Sequence, residues 1–173
     1  MVFDYRRNPK WQRIKKKKTN VMRVLEQKKI AYTAHTYPHE EGMAVDGVTV
    51  AKSMGFDPAI VFKTLVARGA SKQYYVFDVP VAENLDLKKA AKAVGEKSIE
   101  MIHQKELLPL TGYVHGGCSP VGMKKLFPTV FHSSAENLAA MIVSAGKIGY
   151  QVELAPHDLA ALVRAKFADI IVE

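Results

Sequence analysis

From Thr19 onward the apolar positions fall into short helical and alternating patterns that predict a chain of small elements. Val21, Val24 and Leu25, with Lys28 a turn later, recur at the spacing of one helix face, and Thr19 or Asn20 stands before them as an N-cap. The stem of Lys28 can cover the edge of that stripe. Ile30 to Tyr37 reads as a strand ended by Pro38, residues 38–47 as a polar loop, and 48–54 as a second helix closed by Gly55. Asp57-Pro58 is a cap followed by proline at the first helical position, a compact start for one turn. Phe62 to Ala67 alternates in extended form, Gly69 to Lys72 is a turn, and Gln73 to Val81 is rich in β-branched and aromatic residues, so a central antiparallel pair is expected. Asp86 caps a helix over 87–94, with Leu87, Ala90, Ala91 and Val94 inward and Gly95 beyond its end. Ser98 to Ile102 predicts a strand, and residues 103–108 a short helix that stops before Pro109. Gly112 to His115 predicts a short strand running into a glycine loop. Thr129 to His132, Met141 to Ser144 and Tyr150 to Leu154 predict further strands, the last two joined by a turn over Gly146 to Gly149. Pro156-His157-Asp158-Leu159 opens a last helix with Leu159, Leu162 and Val163 inward, before Ile170-Ile171-Val172. Hairpin spacing rather than strict strand-helix-strand alternation predicts an α/β domain with a mixed, largely antiparallel sheet, and no repeat or linker divides it.

Composition sharpens this picture at the N-terminus. The 173 residues, 48% of them hydrophobic, suffice for one well-buried core. A formal net charge of +8 suggests nucleic acid, but residues 1–18 hold eight of the 25 basic residues and one of the 17 acidic ones, leaving residues 19–173 at +1. The chain thus divides into a basic extension, 1–18, expected to be flexible and solvated or to contact phosphates, and a near-neutral domain, 19–173. Trp11 and Ile14 of that extension are able to dock. A single cysteine makes no internal disulfide, and the scattered histidines have no zinc-site spacing, so no metal or cofactor is expected. No apolar run approaches the roughly 20 residues that span a bilayer, and no secretory signal opens the chain, which predicts a soluble cytoplasmic protein without a membrane partner.

Two stretches carry candidate chemistry. In Phe62-Lys63-Thr64-Leu65-Val66-Ala67 a lysine stands among apolar neighbours, either as a strand lysine that reaches solvent or as a fixed cation for a carbonyl or phosphate oxygen. In Gly116-Gly117-Cys118-Ser119-Pro120-Val121-Gly122, paired glycines let a ligand approach main-chain N–H groups, or simply make a turn. Cys118 is either a packed residue or a nucleophile, and His115 is the histidine near it in sequence.

Together with Lys28 to Pro38, Leu85 to Lys92, Gly112 to Lys125, Val143 to Gly149 and Val152 to Leu159, the Phe62 to Leu65 segment makes an ordered set that resembles the YbaK/EbsC family. These are bacterial aminoacyl-tRNA deacylases related to the editing domain of prolyl-tRNA synthetase. The resemblance is closest to the Cys-tRNA(Pro) deacylase branch and covers Thr19 to Glu173. It implies a single α/β domain whose sheet, or partly closed barrel, is flanked by helices. It also implies trans-editing hydrolysis of mischarged Cys-tRNA(Pro), in which the substrate thiol attacks its own ester carbonyl. Such a step is needed because a pocket for proline rejects the similarly sized cysteine by only ~1–3 kcal/mol. Mischarged aminoacyl-tRNA and prolyl-tRNA synthetase are the implied partners. By the same resemblance Lys63, Gly117 and Ser119 are catalytic, while Tyr37, Gly116, Cys118, Ser144 and Asp158 bind substrate. Each also has a plain structural role open to it: Tyr37 packs, Ser144 satisfies a turn, Asp158 caps the last helix. Two positions depart from the family pattern. Ala145 stands where a glycine is usual, which unsettles the Ser144 turn if that position needs φ > 0, and Cys118 stands where an aliphatic or small residue is usual. Two other activities fit the residues: a water-driven deacylase for another misacylated tRNA such as Ala-tRNA(Pro), and a non-catalytic RNA- or protein-binding module.

Overall fold

The computed structural model describes residues 18–173, so residues 1–17, with Trp11 and Ile14, lie outside the described residues. Among the described residues eight strands form two sheets. In the first, β1 (Thr33–Thr36), β7 (Tyr150–Leu154) and β6 (Met141–Ser144) pair antiparallel in the order β1-β7-β6. The second has the order β4-β2-β3-β5-β8, from β4 (Ile99–Met101), β2 (Phe62–Gly69), β3 (Tyr74–Pro80), β5 (Thr129–His132) and β8 (Lys166–Ala168). Its β4-β2-β3 part is antiparallel and its β3-β5-β8 part parallel. One parallel bridge, Val61 with Ile142, joins the two sheets beside the start of β2. The domain is therefore mixed α/β, with two sheets rather than a closed barrel.

Among the described residues five helices pack on these sheets, and local chemistry sets their ends. Thr19 caps α1 (Asn20–Gln27), its hydroxyl accepting the Met22 N–H at 3.3 Å. Asp46 and Asp86 cap α2 (Gly47–Met54) and α3 (Leu87–Val94), which close on Gly55 and Gly95 as expected. A reciprocal cap between His103 and Glu106 starts α4 (Gln104–Thr111), and Pro156 opens α5 (Pro156–Val163). Asp57 caps a single 3₁₀ turn, Pro58–Ile60, before β2. The main core gathers Val21 and Leu25 of α1, Phe62 and Val66 of β2, Val76 of β3, Val143 and Val152 of the small sheet, and Leu159 and Val163 of α5. A second core places Ala90 and Ala91 of α3 on the other face of the large sheet, against Ala67, Phe77 and Val79. A third, with Ala51 of α2, continues that face over Val61 and Ile142.

Three local expectations change, and one strand is new. Residues 112–115 form no strand: Gly112, at φ +86°, ends α4, the Tyr113 N–H donates to the Thr111 hydroxyl, and the Gly117 N–H turns back to Val114 O at 3.0 Å. The α4 helix runs through Pro109 to Thr111, because its last turn is held by the Thr111 hydroxyl on Leu107 O and the Gly112 N–H on Leu108 O. Leu87 is 41% exposed rather than inward. Strand β8 is three residues long, too short for a periodic signal.

Candidate active site

Strand register decides which polar side chains meet. On the small sheet His35, Gln151 and Ser144 stand opposite one another across β1, β7 and β6. The isolated parallel bridge from Val61 to Ile142 brings the start of β2 against β6, so that Lys63 and Ser144, each two residues further along, lie on adjoining elements. Their side chains lie on the face of Ile142 and Val61, away from Val143 and Phe62 of the main core. Polar residues thus form a row on the face that carries α2.

Each member of the row is held differently. Burial lowers the pKa of the half-buried Lys63 ammonium, while Glu83 nearby pulls it back up. The buried Ser144 hydroxyl accepts the Gly146 N–H at 3.1 Å and so ties down the β6-β7 turn. Ala145 does not disturb this turn, since the positive φ falls on Gly146 and Gly149. His35 binds Glu153 at 3.0 Å and packs edge-on against Phe56. Gln151 is 6% exposed, and its amide oxygen is enclosed without a protein partner among the described residues. Such a group costs free energy unless a ligand or water meets it. Sequence alternation gave no hint of Gln151, because a polar residue on one face of a strand reads as solvent-facing; the register with Ser144 is what exposes it.

The glycine loop closes one end of the row. Gly116 has φ +87°, and a Cβ there would come within 2.7 Å of Ala44. A Cβ on Gly117 would lie 3.1 Å from the Ile148 N, so the loop presses directly on the turn after Ser144. Tyr37, 5% exposed, joins from β1 by donating its N–H to Gly149 O at 3.0 Å, and its own carbonyl accepts from His39 at 3.1 Å. Tyr37, Gly116, Gly117 and Ser144 are thereby brought together by contacts, with Lys63 on the adjoining strand.

The loop's interior is less reactive than its sequence suggests. The Gly117 N–H is occupied by Val114 O, whereas the N–H groups of Cys118 and Ser119 meet no acceptor among the described residues. The Ser119 side chain is fully buried and accepts the Val121 N–H, a turn role rather than a nucleophile's. Cys118 packs in the main core, and burial first, then the nearby Asp78, pushes its thiol up to about 12. A thiol so protonated is a poor nucleophile. Asp158 lies elsewhere: it is exposed in the first turn of α5, beyond the Leu154–Met141 end of the ladder and opposite the Ser144 end. It does not cap that helix, which starts on Ala155 without a side-chain cap. Among the described residues no three His, Cys, Asp or Glu side chains stand where they could hold a metal ion, and no helix is long and apolar enough to cross a membrane.

Comparison with known proteins gives this geometry a context. The chain is 46% identical over 153 residues to EbsC of Enterococcus faecalis, covering 88% of this chain and 93% of that protein, whose name assigns it provisionally as a Cys-tRNA(Pro)/Cys-tRNA(Cys) deacylase. A solved structure described provisionally as a trans-editing enzyme for prolyl-tRNA synthetase superimposes with a TM-score of 0.75 at 24% identity, over 88% of this chain and 95% of the other. The hypothetical protein APE2540 shares the fold at a TM-score of 0.78 and 18% identity, over 88% of this chain and 99% of its own. Residues 39–162, which hold the polar row from Lys63 to Gln151 and the glycine loop, match the model of the aminoacyl-tRNA editing domain, and the chain belongs to that family.

Proposed function

We propose that the chain is a trans-editing deacylase that hydrolyses the ester of mischarged Cys-tRNA(Pro). The observation that carries this reading is the row of Lys63, Ser144 and Gln151 closed by the glycine loop, in a chain 46% identical to EbsC. Lys63 supplies a cation for the substrate's carbonyl or terminal phosphate oxygens. The N–H groups of Cys118 and Ser119 receive the negative charge that develops on the carbonyl oxygen, a contribution of about 10²–10³ in rate per donor. Tyr37 walls the site, and Gln151 stands beside Ser144 in the row.

No protein nucleophile is required. The substrate's own thiol adds to its carbonyl, the tetrahedral intermediate collapses to a cyclic thioester, and the tRNA leaves with its ribose hydroxyl protonated. Holding that thiol near the carbonyl gives the rate gain of an intramolecular reaction. The domain without residues 1–18 is nearly neutral, so tRNA selection falls to prolyl-tRNA synthetase or to the basic extension.

The test is a panel of Cys-, Ser- and Ala-charged tRNA(Pro). Cys-tRNA(Pro) is expected to be hydrolysed fastest by a wide margin. Hydrolysis of the Ala ester at a comparable rate would exclude the thiol route and replace it with activated water. An intact panel alongside retained RNA binding would make the chain a binding module.

A further inference from the structure

Behind the glycine loop, on the core face of the large sheet, sits a carboxyl group that the proposed reaction does not use. Asp78 on β3 has no solvent exposure, and nothing in the apolar run from Tyr74 to Pro80 calls for an acid there. Its strand partners are Thr64 of β2 and Phe131 of β5. The Thr64 hydroxyl donates to Oδ1, while Oδ2 has no partner among the described residues. Val76 and Phe62 share its face of the sheet within the main core, whereas Lys63 and Val79 point the opposite way. The titratable neighbour on its own side is Cys118 of the glycine loop, whose thiol feels the Asp78 charge. Tyr113, on the same loop, is committed to Val121 O.

We propose that Asp78 is an electrostatic positioning residue that must be protonated for the glycine loop to stabilise negative charge, so that its ionisation silences the site. The loop places the Cys118 side chain in the core that Asp78 faces, and in the reading proposed above its Cys118 and Ser119 N–H groups, which meet no acceptor among the described residues, receive the developing oxyanion. An anion sealed behind those groups, where little water screens it, opposes the very charge they are placed to receive. A neutral carboxyl does not, and it still accepts from Thr64. Burial pushes the Asp78 carboxyl up to about 7, against the downward pull of the Thr64 hydrogen bond, so the change falls near neutral pH. Deacylation is then favoured at mildly acidic pH and declines as Asp78 ionises.

This inference rests on the loop holding the carbonyl oxygen, and the experiment separates the two. The kcat/KM for Cys-tRNA(Pro) is measured from pH 5.5 to 8.5 for the wild type and for Asp78→Asn, each scaled to its own value at pH 6. The substrate's own titrations and its spontaneous hydrolysis are common to both profiles. With a midpoint near 7, about a tenth of the wild type stays protonated at pH 8, so the scaled rate of the variant should exceed that of the wild type about tenfold there. Coincident profiles overturn the inference while leaving the site reading intact. Absence of hydrolysis by either protein at pH 6 overturns both. Should Asp78→Asn fail to fold, the carbon-13 chemical shift of the Asp78 carboxyl in the wild type replaces it. A titration midpoint matching the decline in kcat/KM supports the inference, and a carboxyl already ionised at pH 6 refutes it.

Discussion

Lys63 and Asp78 lie one register step apart on neighbouring strands, yet on opposite faces of one sheet, and the two faces treat charge in opposite ways. Lys63 stands half-buried at the start of β2 beside Glu83 and the polar row, on a face that α2 covers only in part. There burial lowers the lysine's pKa and the Glu83 carboxylate opposes the shift. Asp78 faces a sealed apolar core in which a single hydroxyl meets it. There burial holds the proton on until near neutral pH. The difference lies in what surrounds each group: Lys63 stands at the edge of its face beside an acid, whereas Asp78 is enclosed and holds its proton until near neutral pH.

The largest effect expected from this contrast is on stability against pH. Asp78 binds its proton more tightly folded than unfolded, where its carboxyl titrates near the ordinary value of about 3.9. Its contribution is therefore fully present below pH 4 and is lost as pH rises toward 7, since the folded state holds a proton that the unfolded state has given up. Between pH 5 and pH 8 the Asp78→Asn variant should gain about 3 kcal/mol relative to the wild type, by the pKa difference alone. Urea unfolding at the two pH values measures this. An unchanged difference would mean that Asp78 is charged in the core, and the contrast between the faces would fall.

On the open face Lys63→Ala should lower kcat/KM for Cys-tRNA(Pro) by about 10²-fold, the scale of one lost stabiliser of developing charge. Its unfolding free energy should move by less than about 1 kcal/mol, because the lysine leaves a site already in contact with solvent. A rate within threefold of the wild type would remove Lys63 from the site, and a large loss of stability would make its role architectural.

Much of this arrangement is legible in the sequence wherever the cause is local. Asp86 and Asp57 announce their helical starts, Gly55 and Gly95 the ends, and alternation gives the β2-β3 hairpin, whereas Asp46, which caps α2, reads only as part of a polar loop. The segment around Tyr113 misleads because its alternation suggests a strand while its path is set by the bond of its hydroxyl to Val121 O, eight residues on, and by the tight turn from Gly117 to Val114. Lys63, the glycine loop, Tyr37 and Ser144 were readable as motifs, but that three of these elements press against one another was not. Gln151 and Asp78 escaped altogether: each is an ordinary polar letter in a strand, and only the register with Ser144 and Thr64 shows one to be unpaired beside the row and the other sealed behind it. Asp158 carries the opposite lesson, a motif position that the ladder between β6 and β7 holds apart from the row.

Cys118 gives the smallest and most discriminating test of the two faces. It sits in the loop that serves the outer face, but its side chain points into the inner core, where burial and Asp78 keep the thiol protonated. If the sealed face excludes reactive charge, truncation to alanine costs only packing. Cys118→Ala should lower stability by about 1 kcal/mol through the small void it leaves, and deacylation of Cys-tRNA(Pro) should stay within about threefold of the wild type, since the backbone N–H groups remain. A hundredfold loss with unchanged unfolding would identify Cys118 as the nucleophile. The thiol would then have to reach the carbonyl as a thiolate from inside the core, which the protonated state imposed by that core opposes.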